Sequence, residues 1–200
     1  MSRTAAQTKL FDTNLRLPEG LVYRPDFISL EEEWRLLAHC DTLPFKQSRL
    51  RGFEAKRRYL HFGWEYNHQN DTFIQGPELP RFLTPLVRRI AKWLDIPRTR
   101  VVEALLLEYT PGSAIGWHVD KERFEHIVGV SFGGWCTMRW RKNIKAERNR
   151  MLKIDLEPRS AYVIQKEIRW QWQHSIPKTK TKRYSLTFRT LPQRNLHVTR

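Results

Sequence analysis

Between Val101 and Leu191 the sequence consists of short, closely set runs rich in β-branched and aromatic residues. They are VVEALLLEYT, IGWHVD, HIVGVSFG, TMRWRK, MLKIDL, SAYVIQ, IRWQWQHSI and RYSLTFRTL. Turn residues separate them, and the gaps leave little room for crossover helices. Parallel strands need such crossovers, so these runs are expected to pair antiparallel, in a double-sheet β-roll or jelly roll. Two hundred residues hold one such domain with a full core and are too few for two well-built ones.

Two helix patterns precede the strands. In SLEEEWRLLAHC, Ser29 and Glu32 stand at capping-box spacing with acidic residues in the first turn, and Trp34, Leu37 and Ala38 are expected to share the inward face. In TPLVRRIAKWLD, Thr84 is expected to cap, Pro85 takes the first helical position, and Leu86, Ile90 and Trp93 or Leu94 fall on one side. LVYRPDFIS reads as a short strand and turn, and Gln47 to Tyr66 as short strands and loops. The expected class is α+β: a jelly-roll core of antiparallel strands with N-terminal helices packed outside. Residues 1–17 read as a loose polar arm and 18–200 as a single domain.

The formal net charge of +15 points to a polyanionic partner, because basic side chains release counterions from a phosphate backbone. No stretch is apolar and long enough for a membrane span or a signal peptide. Cys40 and Cys136 match neither a metal spacing nor a disulfide framework, so a reducing, cytoplasmic compartment is the default expectation.

Three features carry chemistry. In an extended GWHVD, His118 and Asp120 project to one side. Some fifty residues on, the alternating run IRWQWQHSIP ends in His174, on the side of Trp170 and Trp172. Two histidines and a carboxylate form the facial triad of non-haem iron oxygenases; a hydrogen-bonded histidine at a strand end is the plainer alternative for His174. In KRYSLTFRTL, Arg183, Ser185, Thr187 and Arg189 alternate against Tyr184, Leu186 and Phe188. Two inward guanidinium groups would need an anion such as a dicarboxylate, whereas an edge strand would leave them in water.

The order LLLEYTPGSAIGWHVD, IVGVSFG, WQHSIP, RYSLTFR, with LPEGLVYRPDFISLEEEWRLL and RRYLHFGWEYN upstream, resembles the AlkB family of Fe(II)/2-oxoglutarate dioxygenases. The resemblance implies a double-stranded β-helix, with Fe(II) on His118, Asp120 and His174. It implies 2-oxoglutarate near Tyr109, Arg183, Ser185 and Arg189, and O2 as co-reactant. Leu107 and Ser185 stand where many members have asparagine, so some cosubstrate hydrogen bonds must be made differently. It also implies a substrate lid at about 47–66. There Lys56, Arg57 and Arg58 can meet phosphates, Tyr59 or Trp64 can stack on a base, and Phe62 is expected to anchor to the core. RKNIKAERNR (141–150) is either a solvated hairpin tip or a track for a nucleic-acid strand. The implied activity is oxidative demethylation of alkylated bases in DNA or RNA by a monomer, releasing formaldehyde, succinate and CO2. The alternatives are an oxygenase acting on a non-nucleic-acid substrate and a binding module without catalysis.

Overall fold

The computed structural model describes residues 17–50, 53–67, 70–142 and 151–193; the expected arm and most of the 141–150 turn lie outside them. In chain order the elements are β1 (Leu21–Arg24), α1 (Leu30–Thr42), β2 (Lys46–Leu50), β3 (Phe53–Asn67), β4 (Thr72–Gln75) and α2 (Thr84–Leu94). There follow β5 (Val101–Tyr109), β6 (Ile115–His118), β7 (Ile127–Phe132), β8 (Cys136–Lys142), β9 (Met151–Leu156) and β10 (Ala161–Ile164). α3 (Lys166–Gln171), β11 (Trp172–Ile176) and β12 (Arg183–Thr190) complete the chain.

The strands form two sheets, a large one ordered β1-β10-β7-β12-β5-β3-β2 with β4 alongside β3, and a small one ordered β6-β11-β8-β9. Each of these pairings is antiparallel. This is the double-sheet roll that the spacing of the runs predicts.

Strand alternation divides the large sheet into two faces. On the outer face, the register brings together rows such as Leu60–Leu106–Leu186–Val130 and Phe62–Ala104–Phe188–Val128. These rows pack with Leu36 and Cys40 of α1 and with Leu86 and Ile90 of α2 in one buried apolar cluster. A second cluster, including Met138, Trp140, Ile154 and Trp172, fills the space between the sheets.

Several local expectations are corrected. The capping box forms as read, with Glu32 N donating to Ser29 Oγ at 3.1 Å and Ser29 N to Glu32 Oε2 at 2.8 Å. The buried positions of α1, however, are Glu33, Leu36 and Cys40, with Leu37 partly buried and Trp34 62% exposed. Glu33 turns inward because it accepts from Gly133 N at 2.9 Å and pairs with Arg159 at 3.6 Å, and this orientation leaves Trp34 in solvent. Thr84 does not cap α2: the 3-10 turn Arg81–Leu83 runs straight into the helix, so the backbone is already helical there. The segment read as short strands and loops contains one 15-residue strand, β3, made long because β2, β4 and β5 all pair with it.

The alternating IRWQWQ run is helical up to Gln171, and Trp170 is exposed rather than on the His174 side. Tertiary partners override its strand-like alternation: Ile168 N donates to Glu19 O at 3.1 Å, and Arg169 turns its guanidinium onto backbone carbonyls.

Candidate active site

The inner face of the large sheet differs from the outer in kind. Its rows are Arg57–Tyr109–Arg183, Tyr59–Leu107–Ser185–Ser131, His61–Leu105–Thr187–Gly129 and Gly63–Glu103–Arg189–Ile127. Charged rows stand at the two ends, with small, polar and apolar residues between. Above this face lies a cavity of about 620 Å³, whose walls include Arg57, Tyr59, Tyr109, Trp117, Ser185 and Arg189. Gly129 makes room for the Tyr162 ring on the cavity wall, since a Cβ there would come within 2.3 Å of it.

His118, Asp120 and His174 also line the cavity, and one potential ligand atom from each lies within 4.8 Å of the others. His118 ends β6 and is in register with His174 of β11, with ring centroids 4.2 Å apart. Asp120 is not on the strand as expected but two residues past its last pairing, in the loop that follows. Arg169 holds this loop from below, donating to the carbonyls of Asp120 (3.3 Å), Phe124 (2.9 Å) and Lys121. His118 Nδ1 donates to Gly116 O at 3.0 Å, which directs Nε2 and its lone pair into the cavity. His174 Nε2 lies 3.3 Å from Asp120 Oδ2.

The electrostatics suit a cation. Burial, against the pull of Asp120, pushes His174 down to about 4, so its imidazole is neutral near pH 7. Burial alone would raise the Asp120 carboxyl, but Arg189 and the two imidazoles outweigh it and hold the group well below the usual carboxylate range. Two imidazoles and one carboxylate in this arrangement are the donor set of a non-haem ferrous site, with coordination positions left over.

Arg189 is inward, as the alternation of β12 requires, and is tied at both ends. One nitrogen donates to Asp120 Oδ1 at 2.8 Å, another pairs with Glu103, and Nε has no partner among the described residues. Arg183 is fully buried, donates through Nε to Ser131 Oγ at 2.9 Å, and leaves Nη1 without a partner among the described residues. Its Cζ lies 5.0 Å from the Tyr109 ring centroid. Orphaned guanidinium nitrogens under and beside one cavity fit the carboxylates of 2-oxoglutarate.

The residues of the expected lid separate. Arg57 and Tyr59 face the cavity; Lys56 is exposed; Arg58 points to the opposite face and pairs with Glu108. Trp64 packs against the apolar cluster between the sheets, and Phe62 is buried in the outer one, as expected. Sequence reasoning did not single out Glu103, Arg169 or Trp117. Glu103 carried a usable signal: it is an acid in an apolar run, on the same parity as Tyr109.

Fold and site together define a double-stranded β-helix oxygenase. The model of the 2OG-Fe(II) oxygenase superfamily matches residues 20–189, and the chain belongs to that superfamily. Its cofactor is Fe(II), with 2-oxoglutarate and O2 as co-reactants, and the protein is an AlkB-like dioxygenase. It is similar to the alkylated DNA repair protein ALKBH8 homolog of Arabidopsis thaliana, with 31% identity over 84% of this chain and 53% of that protein. It is also similar to the tRNA (carboxymethyluridine(34)-5-O)-methyltransferase ALKBH8 of Macaca fascicularis, with 30% identity over 80% of this chain. The chain spans about half of the first relative and 24% of the second. In fold it matches the structure of OsALKBH1, with a TM-score of 0.66 and 15% identity, over 88% of this chain and 99% of that one.

Proposed function

We propose that the protein oxidatively demethylates alkylated bases in DNA or RNA, with His118, Asp120 and His174 holding Fe(II). In this reading residues 18–200 are one catalytic domain, Tyr109, Arg183, Ser185 and Arg189 serve the cosubstrate, and Lys56 and Tyr59 belong to the lid. The match over residues 20–189 supports the single domain. Among the described residues, no helix is long and apolar enough to cross a membrane. Cys40 and Cys136 are free, buried thiols, as a reducing compartment such as the cytoplasm allows.

The observation that carries the nucleic-acid reading is the basic and aromatic cluster around Trp117, which lines the cavity immediately before His118 in β6. The Arg139 and Arg141 guanidinium carbons lie 5.1 and 4.3 Å from its ring centroid. Each arginine spends its Nε on a neutral acceptor, Ser175 Oγ at 3.1 Å and Gln173 Oε1 at 2.9 Å. Neither has an acidic partner among the described residues, and Lys153 stands beside Arg139 in the register. Uncommitted guanidinium groups around an aromatic ring suit phosphates and a base, and the +15 charge of the whole chain agrees.

When bound, Fe(II), 2-oxoglutarate and O2 supply the oxidising power: 2-oxoglutarate becomes succinate and CO2, and the substrate C–H bond becomes C–OH. A hydroxylated N-methyl group is a hemiaminal, whose collapse releases formaldehyde and restores the base. The protein's own residues position and exclude. Arg189 and Arg169 hold Asp120 and its loop, the apolar wall of Leu105, Leu107 and Ile176 keeps water from the reacting carbon, and Tyr59 offers a face to an extruded base. The test is incubation with N-methylated and unmethylated single-stranded DNA and RNA, reading formaldehyde, succinate and the mass of the oligonucleotide. Formaldehyde matched by methyl loss on one of these polymers is the expected result. Succinate formation that no methylated oligonucleotide stimulates would sink the reading.

A further inference from the structure

The row Arg57–Tyr109–Arg183 crosses three adjacent strands on the inner face, so the side chains of β3, β5 and β12 meet there. Its two arginines differ in access. Arg183 is fully buried and is not part of the cavity wall, whereas Arg57 and Tyr109 are. Arg57 Nε is nevertheless buried and has no hydrogen-bond partner among the described residues. Among the described residues, neither arginine has a carboxylate within ion-pair distance, although the adjacent Arg58 and Arg189, in the farthest row, both do.

Ser131 and the Tyr109 ring meet part of the need of Arg183, and Tyr109 part of that of Arg57, but two cations in one row with no anion between them still repel. Such an arrangement is stable when a ligand supplies the missing negative charge, and a guanidinium fork matches a carboxylate with two parallel hydrogen bonds. The next row adds a reason to need a third donor. Leu107 offers no hydrogen-bonding group and Ser185 only a short hydroxyl, so a carboxylate held there by Arg183 and Tyr109 has lone pairs to spare.

We propose that Arg57 is a third carboxylate anchor of the cosubstrate pocket, binding the distal carboxylate of 2-oxoglutarate beside Tyr109 and Arg183, rather than a phosphate contact of the lid. The assignment rests on the family's use of 2-oxoglutarate and not on the nucleic-acid reading. An anionic group on the substrate is the other source of the same chemistry, and the experiment separates the two.

Calorimetry of the Mn(II)-loaded, redox-inert protein measures 2-oxoglutarate and 2-oxopentanoate, which lacks the distal carboxylate, on wild type, Arg57→Ala and Arg57→Lys. Fluorescence anisotropy of an unmodified single-stranded oligonucleotide, at two salt concentrations, is measured on the same proteins. Arg57→Ala is expected to weaken 2-oxoglutarate at least tenfold, to leave 2-oxopentanoate within twofold, and to leave oligonucleotide affinity and its salt dependence unchanged. Arg57→Lys is expected to recover part of the loss, as a charge without the fork. Equal weakening of both oxo acids would assign Arg57 a structural role and overturn the proposal. Unchanged 2-oxoglutarate affinity would overturn it as well, and if oligonucleotide binding falls in that case Arg57 belongs to the substrate.

Discussion

The two faces of the large sheet are made by the same strands and have opposite chemistry. The outer face is apolar wherever α1 and α2 cover it; its acid, Glu108, sits at the sheet's end, where Arg58, Lys182 and the Tyr184 hydroxyl reach it. The inner face buries Glu103, Arg183 and Arg189 in the molecule's interior. Apolar burial stabilises by roughly 25 cal/mol per Å², while a buried charge costs several kcal/mol unless paired. One face therefore carries the fold and the other is tolerated for its chemistry. Its unfilled hydrogen-bonding groups mark where ligands are due.

The largest expected effect breaks the inner face alone. His174→Ala should reduce succinate formation at least a hundredfold and leave the far-UV circular dichroism unchanged, because the removed imidazole is a proposed ligand and not a packing element. The mirror experiment is Leu186→Ala, on the outer face at zero exposure. It should cost about 2–5 kcal/mol in denaturant unfolding while turnover per folded molecule stays near wild type. Equal loss of activity and stability in both variants would erase the distinction between the faces.

Glu103→Gln sharpens the comparison by loading both consequences on one inner residue. Arg189 would keep Asp120 but lose its second acid. A loss of about 3 kcal/mol in unfolding is expected, with weaker metal binding, since removing one partner strands part of a buried charge.

A smaller effect concerns pH on the outer face. Hydrogen bonding from Arg58, which outweighs burial, holds the Glu108 carboxyl below its ordinary value of 4.5. A depressed folded value means that the contribution is complete above 4.5 and is lost as pH falls through the lower folded value. The difference in melting temperature between wild type and Glu108→Gln should be constant from pH 7 to 5 and shrink below that. Smallest of all, Trp34→Ala should move stability by no more than about 0.5 kcal/mol, because the side chain is largely in solvent.

Much of this molecule was legible before folding. The close spacing of short β-branched and aromatic runs predicted antiparallel strands, the capping box predicted the start of α1, and the parity of β12 predicted that Arg183 and Arg189 share a face with Ser185. The spacing of His118, Asp120 and His174 suggested a donor set that the register of β6 with β11 then assembles. Trp34 and the IRWQWQ run misled for one reason: local pattern was outweighed by distant polar partners, Gly133 and Arg159 for the rotation of α1, and the carbonyls of the 120–124 loop for α3.

What the sequence by itself determined is therefore periodicity, and with it the sheet class, the parity of each strand and the types of ligand on offer. What only the tertiary structure decided is which side chains meet. The row Arg57–Tyr109–Arg183 joins residues up to 126 positions apart, and the Glu103–Arg189–Asp120 ion pairs join β5, β12 and a loop. No local rule specifies such meetings, because register is set by how the strands bury their apolar faces together.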